Sequence, residues 1–155
     1  MTAVPAGFTP LFRTSPFLET VGPFYQSVEG DGLVVGLRVE ERHANTRGTV
    51  HGGLLVTMAD IALGYNASYV GVEKLPGALP TVALTTASLS VDFAGTATLG
   101  DWIEARVDVQ KVGGKLAFAN AYLSVDGRRI ARASAVFAAS PLPATIAEYR
   151  APADS

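Results

Sequence analysis

Apolar residues recur along this chain with two different periods. Leu33, Val35, Leu37 and Val39 alternate with positions that include Arg38 and Glu40, the period of a strand with one buried face. Phe24 to Ser27 is strand-like too, and Glu29-Gly30-Asp31-Gly32 between the two runs has the residues of a hairpin turn. Ahead of them, Pro16 to Val21 predicts a short helix that Gly22-Pro23 ends. After a polar loop from Glu41 to Thr49 the period changes. Leu54, Leu55, Met58, Ile61, Ala62 and Tyr65 fall at helical spacing, and the opposite side, with Val56, Leu63 and Gly64, is also mostly apolar. A helix that is apolar nearly all round is buried.

After a turn at Leu75-Pro76-Gly77 to Pro80, four more alternating runs follow. Thr81 to Phe93 is expected to turn Ala83, Ala87, Leu89, Val91 and Phe93 inward. Asp101 to Lys111 turns in Ile103, Ala105, Val107 and Val109, with Trp102 on the polar side. Leu116 to Asp126 turns in Ala117, Ala119, Ala121, Leu123 and Val125, and Arg129 to Ala139 turns in Ala131, Ala133, Ala135 and Phe137. Gly113-Gly114 and Asp126-Gly127 stand where tight turns are required. The pattern is two strands, one long buried helix, then four antiparallel strands. So alanine-rich a sheet face lets a helix lie close, and the packing solution is an α+β fold in which a curved antiparallel sheet wraps one central helix. One domain spans residues 1–155, with a loose arm at 1–15, a core at 16–139 and a C-terminal tail at 140–155 that docks loosely or frays.

Composition narrows the chemistry. The 155 residues are 48% hydrophobic and 17% charged, with a mean hydropathy of +0.28, so the chain can bury a core and is not disordered. A net charge of −2 leaves no basic footprint for nucleic acid. The absence of cysteine removes disulfides, cysteine-ligated metals and a cysteine nucleophile. With only His43 and His51 and no metal-ligand spacing, no metal site is expected. The weakly charged stretch from Gly48 to Val72 is interrupted by His51, Asp60, Asn66 and glycines, so it reads as a buried helix and not a membrane span. With no targeting signal at the N-terminus, a soluble cytoplasmic protein is expected.

Asp60 is the only ionised side chain between Gly48 and Val72. On a buried helix it needs a partner, water or a function; on a solvent-facing side it would need none of these. His51-Gly52-Gly53 opens the same helix. Its glycines allow close backbone approach and its free N–H groups, with the helix dipole, favour a phosphate or a developing oxyanion, although a tight loop-to-helix turn alone would also use them. Eight residues of helix separate Gly52 from Asp60 by about 12 Å, too far for both to act on one carbonyl, because reacting atoms must stand about 3–3.5 Å apart. Either the two features are unrelated or two antiparallel helices meet across a two-fold axis, with Asp60 of one chain at the glycine pair of the other. Asn45 could orient a carbonyl or simply form a turn, and Thr85, Thr86, Ser88 and Ser90 could supply a hydroxyl or simply suit a strand.

The spacing Asn45-x5-His51-Gly52-Gly53-x6-Asp60 at the start of a long apolar helix resembles the hotdog-fold acyl-CoA thioesterases, in particular the phenylacetate-pathway and 4-hydroxybenzoyl-CoA thioesterase branch. Val91-Asp92-Phe93, Ala97-x2-Gly100-Asp101 and Lys111-x-Gly113-Gly114-Lys115 look like later segments of that family, and the likeness runs over residues 15–139. The resemblance implies hydrolysis of an acyl-coenzyme A to free acid and coenzyme A. Asp60 is then nucleophile or general base, Gly52 or Gly53 polarises the carbonyl, and Asn45 orients the carbonyl or nucleophile. His51 supports the loop and Thr86 contributes a hydroxyl. It further implies a homodimer, commonly paired into a homotetramer, with no cofactor beyond the coenzyme A of the substrate. Arg47, Lys111 and Lys115 are candidates for its phosphates. Gly64 departs from members with a hydroxyl residue there. A hotdog-fold dehydratase or hydratase and a non-catalytic acyl-CoA-binding domain are the competing readings. Tyr65, Tyr69 and Leu63 are candidates for the acyl pocket or for plain core.

Overall fold

The computed structural model describes residues 3–30, 32–71 and 82–141. The expected turn at 75–80 and most of the tail lie outside them. Among the described residues seven strands form one antiparallel sheet in the order β1-β2-β3-β5-β6-β7-β4. They are β1 (Thr9–Pro10), β2 (Phe24–Glu29), β3 (Gly32–Arg38), β4 (Val82–Phe93), β5 (Trp102–Val112), β6 (Leu116–Val125) and β7 (Arg128–Pro141). A short helix, α1 (Pro16–Val21), and a 3-10 turn at Glu41–His43 precede the long helix α2 (Gly52–Gly71). Ser15 caps α1 by accepting the Leu18 N–H, and Pro16 opens it. The β6–β7 hairpin turns on Asp126 and Gly127 at φ 48° and 77°, the positive angles of a type I′ turn.

The helix lies on the inner face of the sheet against β3 to β7. That face is floored by Ala105, Ala117, Ala119, Ala121, Ala131, Ala133 and Ala135, all buried, and the helix inserts Leu55, Met58, Ala59, Ala62 and Leu63 into it. The alternation expected for β5 as far as Val109, for β6, and for β7 from Ala131 is the one observed; the register shifts beyond Val109 in β5 and at Ile130 in β7, which is itself fully buried. One buried polar side chain fastens the helix to the sheet. Asn66, 1% exposed, accepts the Leu33 N–H and donates to the Leu33 carbonyl, at 2.8 and 2.9 Å. The β3–β5 ladder ends at Val35↔Ala105, so the amide of Asn66 replaces the next rungs.

Four sequence expectations are corrected. The arm is not loose where it is described: Thr9–Pro10 pairs with Tyr25 and Gln26, Phe12 donates its N–H to Gln26 Oε1, and Leu11 is buried. Trp102 stands on the outer face as expected but is buried, because Phe8 meets its ring edge-on at 5.0 Å, Tyr25 covers it at 5.7 Å and Arg38 stacks at 5.0 Å. Gly36 makes room for that indole, since a Cβ there would stand 2.2 Å from the ring. Leu63 belongs to the sheet-facing side of α2, fully buried, and not to the side of Asp60. Finally, the inward face of β4 changes parity. Its register with β7 shifts between Thr86 and Ser88, a bulge in which Ala87 is the extra residue. Thr86 faces inward with its partner Phe137, and beyond the bulge Leu89, Val91 and Phe93 do so. Ala83 and Ala87 are therefore not inward residues.

Candidate active site

The loop before α2 is built by side chain-to-backbone hydrogen bonds. Asn45 Oδ1 accepts the N–H groups of Arg47 and Thr49 at 2.8 and 3.3 Å, and its amide donates to Thr49 Oγ1 at 2.9 Å. This is the turn-forming use of Asn, and it occupies the side chain within the loop. The Val50 N–H binds the Ala97 carbonyl, and the His51 N–H binds the His43 carbonyl. His43, unremarked in the sequence, is buried and holds this corner, its Nδ1 accepting the Glu40 N–H and its Nε2 facing the Gly22 carbonyl at 3.2 Å.

His51 and the two glycines divide the work of the helix start. His51 Nδ1 accepts the Gly53 N–H at 2.9 Å, so the neutral ring carries its proton on Nε2. A Cβ on Gly53 would stand 3.0 Å from that nitrogen. The N–H groups of Leu54 and Leu55 reach the His51 carbonyl. Among the described residues the Gly52 N–H has no partner. It is the one free donor of the first turn and sits at the positive end of a 20-residue helix.

Gly52, Val56, Asp60 and Gly64 follow at intervals of four and form one row along α2. The row runs beside the inner face of β4. At its head, the position of a Cβ on Gly52 is 3.6 Å from the Phe93 ring. Further down, Thr86 Oγ1 donates to Asp60 Oδ1 at 2.7 Å. The Ala87 bulge produces this contact, since with regular alternation Thr86 would face outward beside Ser88 and Ser90. Asp60 Oδ2 makes no hydrogen bond among the described residues. A Cβ on Gly64 would press on Phe137 at 3.3 Å, so a hydroxyl residue there has no easy room. Asp60 is half-buried, and among the described residues no three His, Asp or Glu side chains come together to hold a metal ion. The 12 Å or so from Gly52 to Asp60 holds within one chain because one helix carries both.

The remaining candidates are dispersed. Arg47 is exposed in the Asn45 loop. Lys111 and Lys115 are exposed at the β5–β6 turn, Lys111 on the outer face opposite Phe118. Lys115 leads into β6, two strands from β4, and Lys111 lies on β5, three strands away, roughly 10–14 Å across the sheet, so one chain does not gather these lysines around Asp60. Thr85, Ser88 and Ser90 face outward. Tyr69 is buried. Tyr65 is half-buried, donates to the Arg13 carbonyl at 3.3 Å and packs on Phe12 at 5.4 Å. Burial raises its phenol above the ordinary value; the Arg13 cation opposes this and the Asp60 carboxylate adds to it. Among the described residues no helix is long and apolar enough to cross a membrane.

Comparison with known proteins identifies the family. Residues 47–131, from the Asn45 loop into β7, match the family described as the thioesterase superfamily. A Pseudomonas aeruginosa protein that carries a provisional esterase name is 44% identical over 138 residues, covering 88% of this chain and 98% of that one. Acyl-coenzyme A thioesterase 13 of Mus musculus is 29% identical over 98 residues, covering 63% and 64%. The crystal structure of zebrafish thioesterase superfamily member 2 superposes with a TM-score of 0.67 at 26% identity, covering 80% of this chain and 87% of that one. The sheet around α2, the matched span and the near-full-length relative together place this chain in the thioesterase superfamily, with the hotdog fold.

Proposed function

We propose that the protein hydrolyses the thioester of an acyl- or aryl-coenzyme A, releasing free acid and coenzyme A, in sites shared between two copies of the chain. The observation that carries this reading is the single row of α2. It bears a free N–H at Gly52 and a carboxylate at Asp60, too far apart to serve one carbonyl. An antiparallel second copy joins each Asp60 to the partner's glycine end and makes two equivalent sites. The sheet supports the same pairing. Among the described residues the 12-residue strand β4 is its last strand, and a long edge strand is one that proteins cover. Pairing of two dimers into a tetramer is part of the proposal.

In the mechanism the thioester carbonyl oxygen accepts the Gly52 N–H, which stabilises the oxyanion that forms on attack. Asp60 is held through Oδ1 by Thr86, leaving Oδ2 directed by that anchor. Oδ2 either attacks the carbonyl carbon, giving an anhydride that water then opens, or takes a proton from the water that attacks. Both routes break the carbon–sulfur bond, and the coenzyme A thiolate leaves and is protonated. Asn45 and His51 fix the loop that aims the Gly52 N–H. The reaction needs no cofactor, because water is the only co-reactant. Acyl-coenzyme A, named for the mouse relative, enters here as the proposed substrate, and Arg47 is the basic residue nearest the glycine end in sequence.

The test is thiol release from short, medium and aromatic acyl-coenzyme A substrates, with Asp60→Ala alongside and sedimentation of both proteins. Turnover should fall by about 10²–10⁴-fold in the variant, with both proteins dimeric or larger. An Asp60→Ala protein as active as wild type, or a folded wild-type monomer, ends the proposal. Loss or gain of water with the thioester intact would reassign it to a hydratase.

A further inference from the structure

Phe93 is out of keeping with its position. It ends β4 on the inner face, opposite the buried Ala131, where Phe137 on the neighbouring strand is 2% exposed, yet Phe93 is 53% exposed. Among the described residues its ring supplies the only atoms, apart from the immediate chain neighbours and the helix's own backbone, within 4 Å of where a side chain on Gly52 would begin. Gly52 has no side chain and a free N–H, so an oxygen bound at that N–H has one apolar wall beside it, the Phe93 ring. The next residue along the row is Val56, half-buried and also apolar, and it continues this wall toward Asp60.

Resting on the thioesterase reading, we infer that Phe93 is a specificity-determining residue that contacts the acyl group of the substrate and favours bulky apolar or aromatic acyl groups over short ones. The chemistry selects the acyl side of the thioester. A pantetheine arm carries amides that need hydrogen-bond partners, and Phe93 and Val56 offer none. A flat or branched hydrocarbon next to the carbonyl gains from burial and from ring–ring contact.

The experiment compares wild type, Phe93→Ala and Phe93→Leu on acetyl-, hexanoyl- and benzoyl-coenzyme A, with sedimentation of each protein. In Phe93→Ala, kcat/KM for the benzoyl and hexanoyl substrates should fall about tenfold or more, while that for acetyl changes less than about threefold. Phe93→Leu should recover hexanoyl turnover and leave benzoyl turnover reduced. All three proteins should keep one oligomeric state. Equal losses on all three substrates, or dissociation of Phe93→Ala, would make the ring an anchor between subunits and overturn the inference. An active wild type whose substrate ratios ignore Phe93 overturns it alone. A wild type that releases no thiol from any substrate removes it together with the reading on which it rests.

Discussion

Asn66 offers the sharpest test of how α2 is held in place. Its side chain is 1% exposed and makes three hydrogen bonds, from the Leu33 N–H at 2.8 Å and to the carbonyls of Leu33 and Ala62 at 2.9 Å each. In Asn66→Ala the Ala62 carbonyl keeps its place in the helix ladder. Among the described residues the N–H and carbonyl of the buried Leu33 have no other partner at this end of the sheet, and they lose about 1–3 kcal/mol each. The expected loss is about 3–5 kcal/mol, a large part of the roughly 5–15 kcal/mol that holds a domain together, and a fall in Tm of roughly 10 °C. Urea and thermal denaturation should be run at one protein concentration, because association adds to apparent stability. Asn66→Asp keeps the acceptor for the Leu33 N–H but sets a carboxylate against the Leu33 carbonyl. It should be least stable at neutral pH and recover in part in acid, when protonation returns a donor. A loss below about 1 kcal/mol in Asn66→Ala would refute the account, since it would mean Leu33 is satisfied by other means.

Two further outcomes follow from named contacts. Thr86→Val preserves shape but removes the donor to Asp60; hydrogen bonds to charged groups contribute about 1.5–3 kcal/mol, so kcat/KM should fall about 10–100-fold and Thr86→Ser should restore most of it. Glu29 is held below its ordinary value of 4.5, first by its hydrogen bond from Arg106. A depressed folded-state value means that the pair stabilises the fold above that range and stops doing so as pH falls through the depressed value. Both side chains are about half exposed, so Glu29→Gln should cost less than about 1 kcal/mol at pH 7, and denaturation midpoints of variant and wild type should converge in acid.

Periodicity was a sound guide wherever one element keeps one parity. β5 as far as Val109, β6, and β7 from Ala131 onward alternate in the core as their sequence does, and α2 is buried because its residues leave it no wholly polar side. The failures share a cause, namely contacts between residues far apart in the chain. Nothing local to Thr9–Pro10 announces that it will pair with β2, because a two-residue strand has no period to read. Alternation along β4 points to Ala83 and Ala87 as inward residues, since a bulge is set by the register with β7 and not by β4 itself. That same bulge is why Thr86 could be matched to the site by family spacing but not by strand pattern. Asp60, Gly52 and Gly53 were legible as the one charge and the one glycine pair of an apolar helix. The division between the two glycines was not, because it depends on the direction of the His51 ring. Phe93 read as ordinary core, and only its missing cover shows otherwise.

The indole of Trp102 has a practical use that its packing makes available. It is the sole tryptophan, and it faces away from α2, capped by Phe8 of the N-terminal arm. Its fluorescence is therefore a built-in gauge of arm docking. Undocking would wet the ring and move its emission to longer wavelength, while events along the Asp60 row, on the far side of the sheet, would leave the colour of that light unchanged.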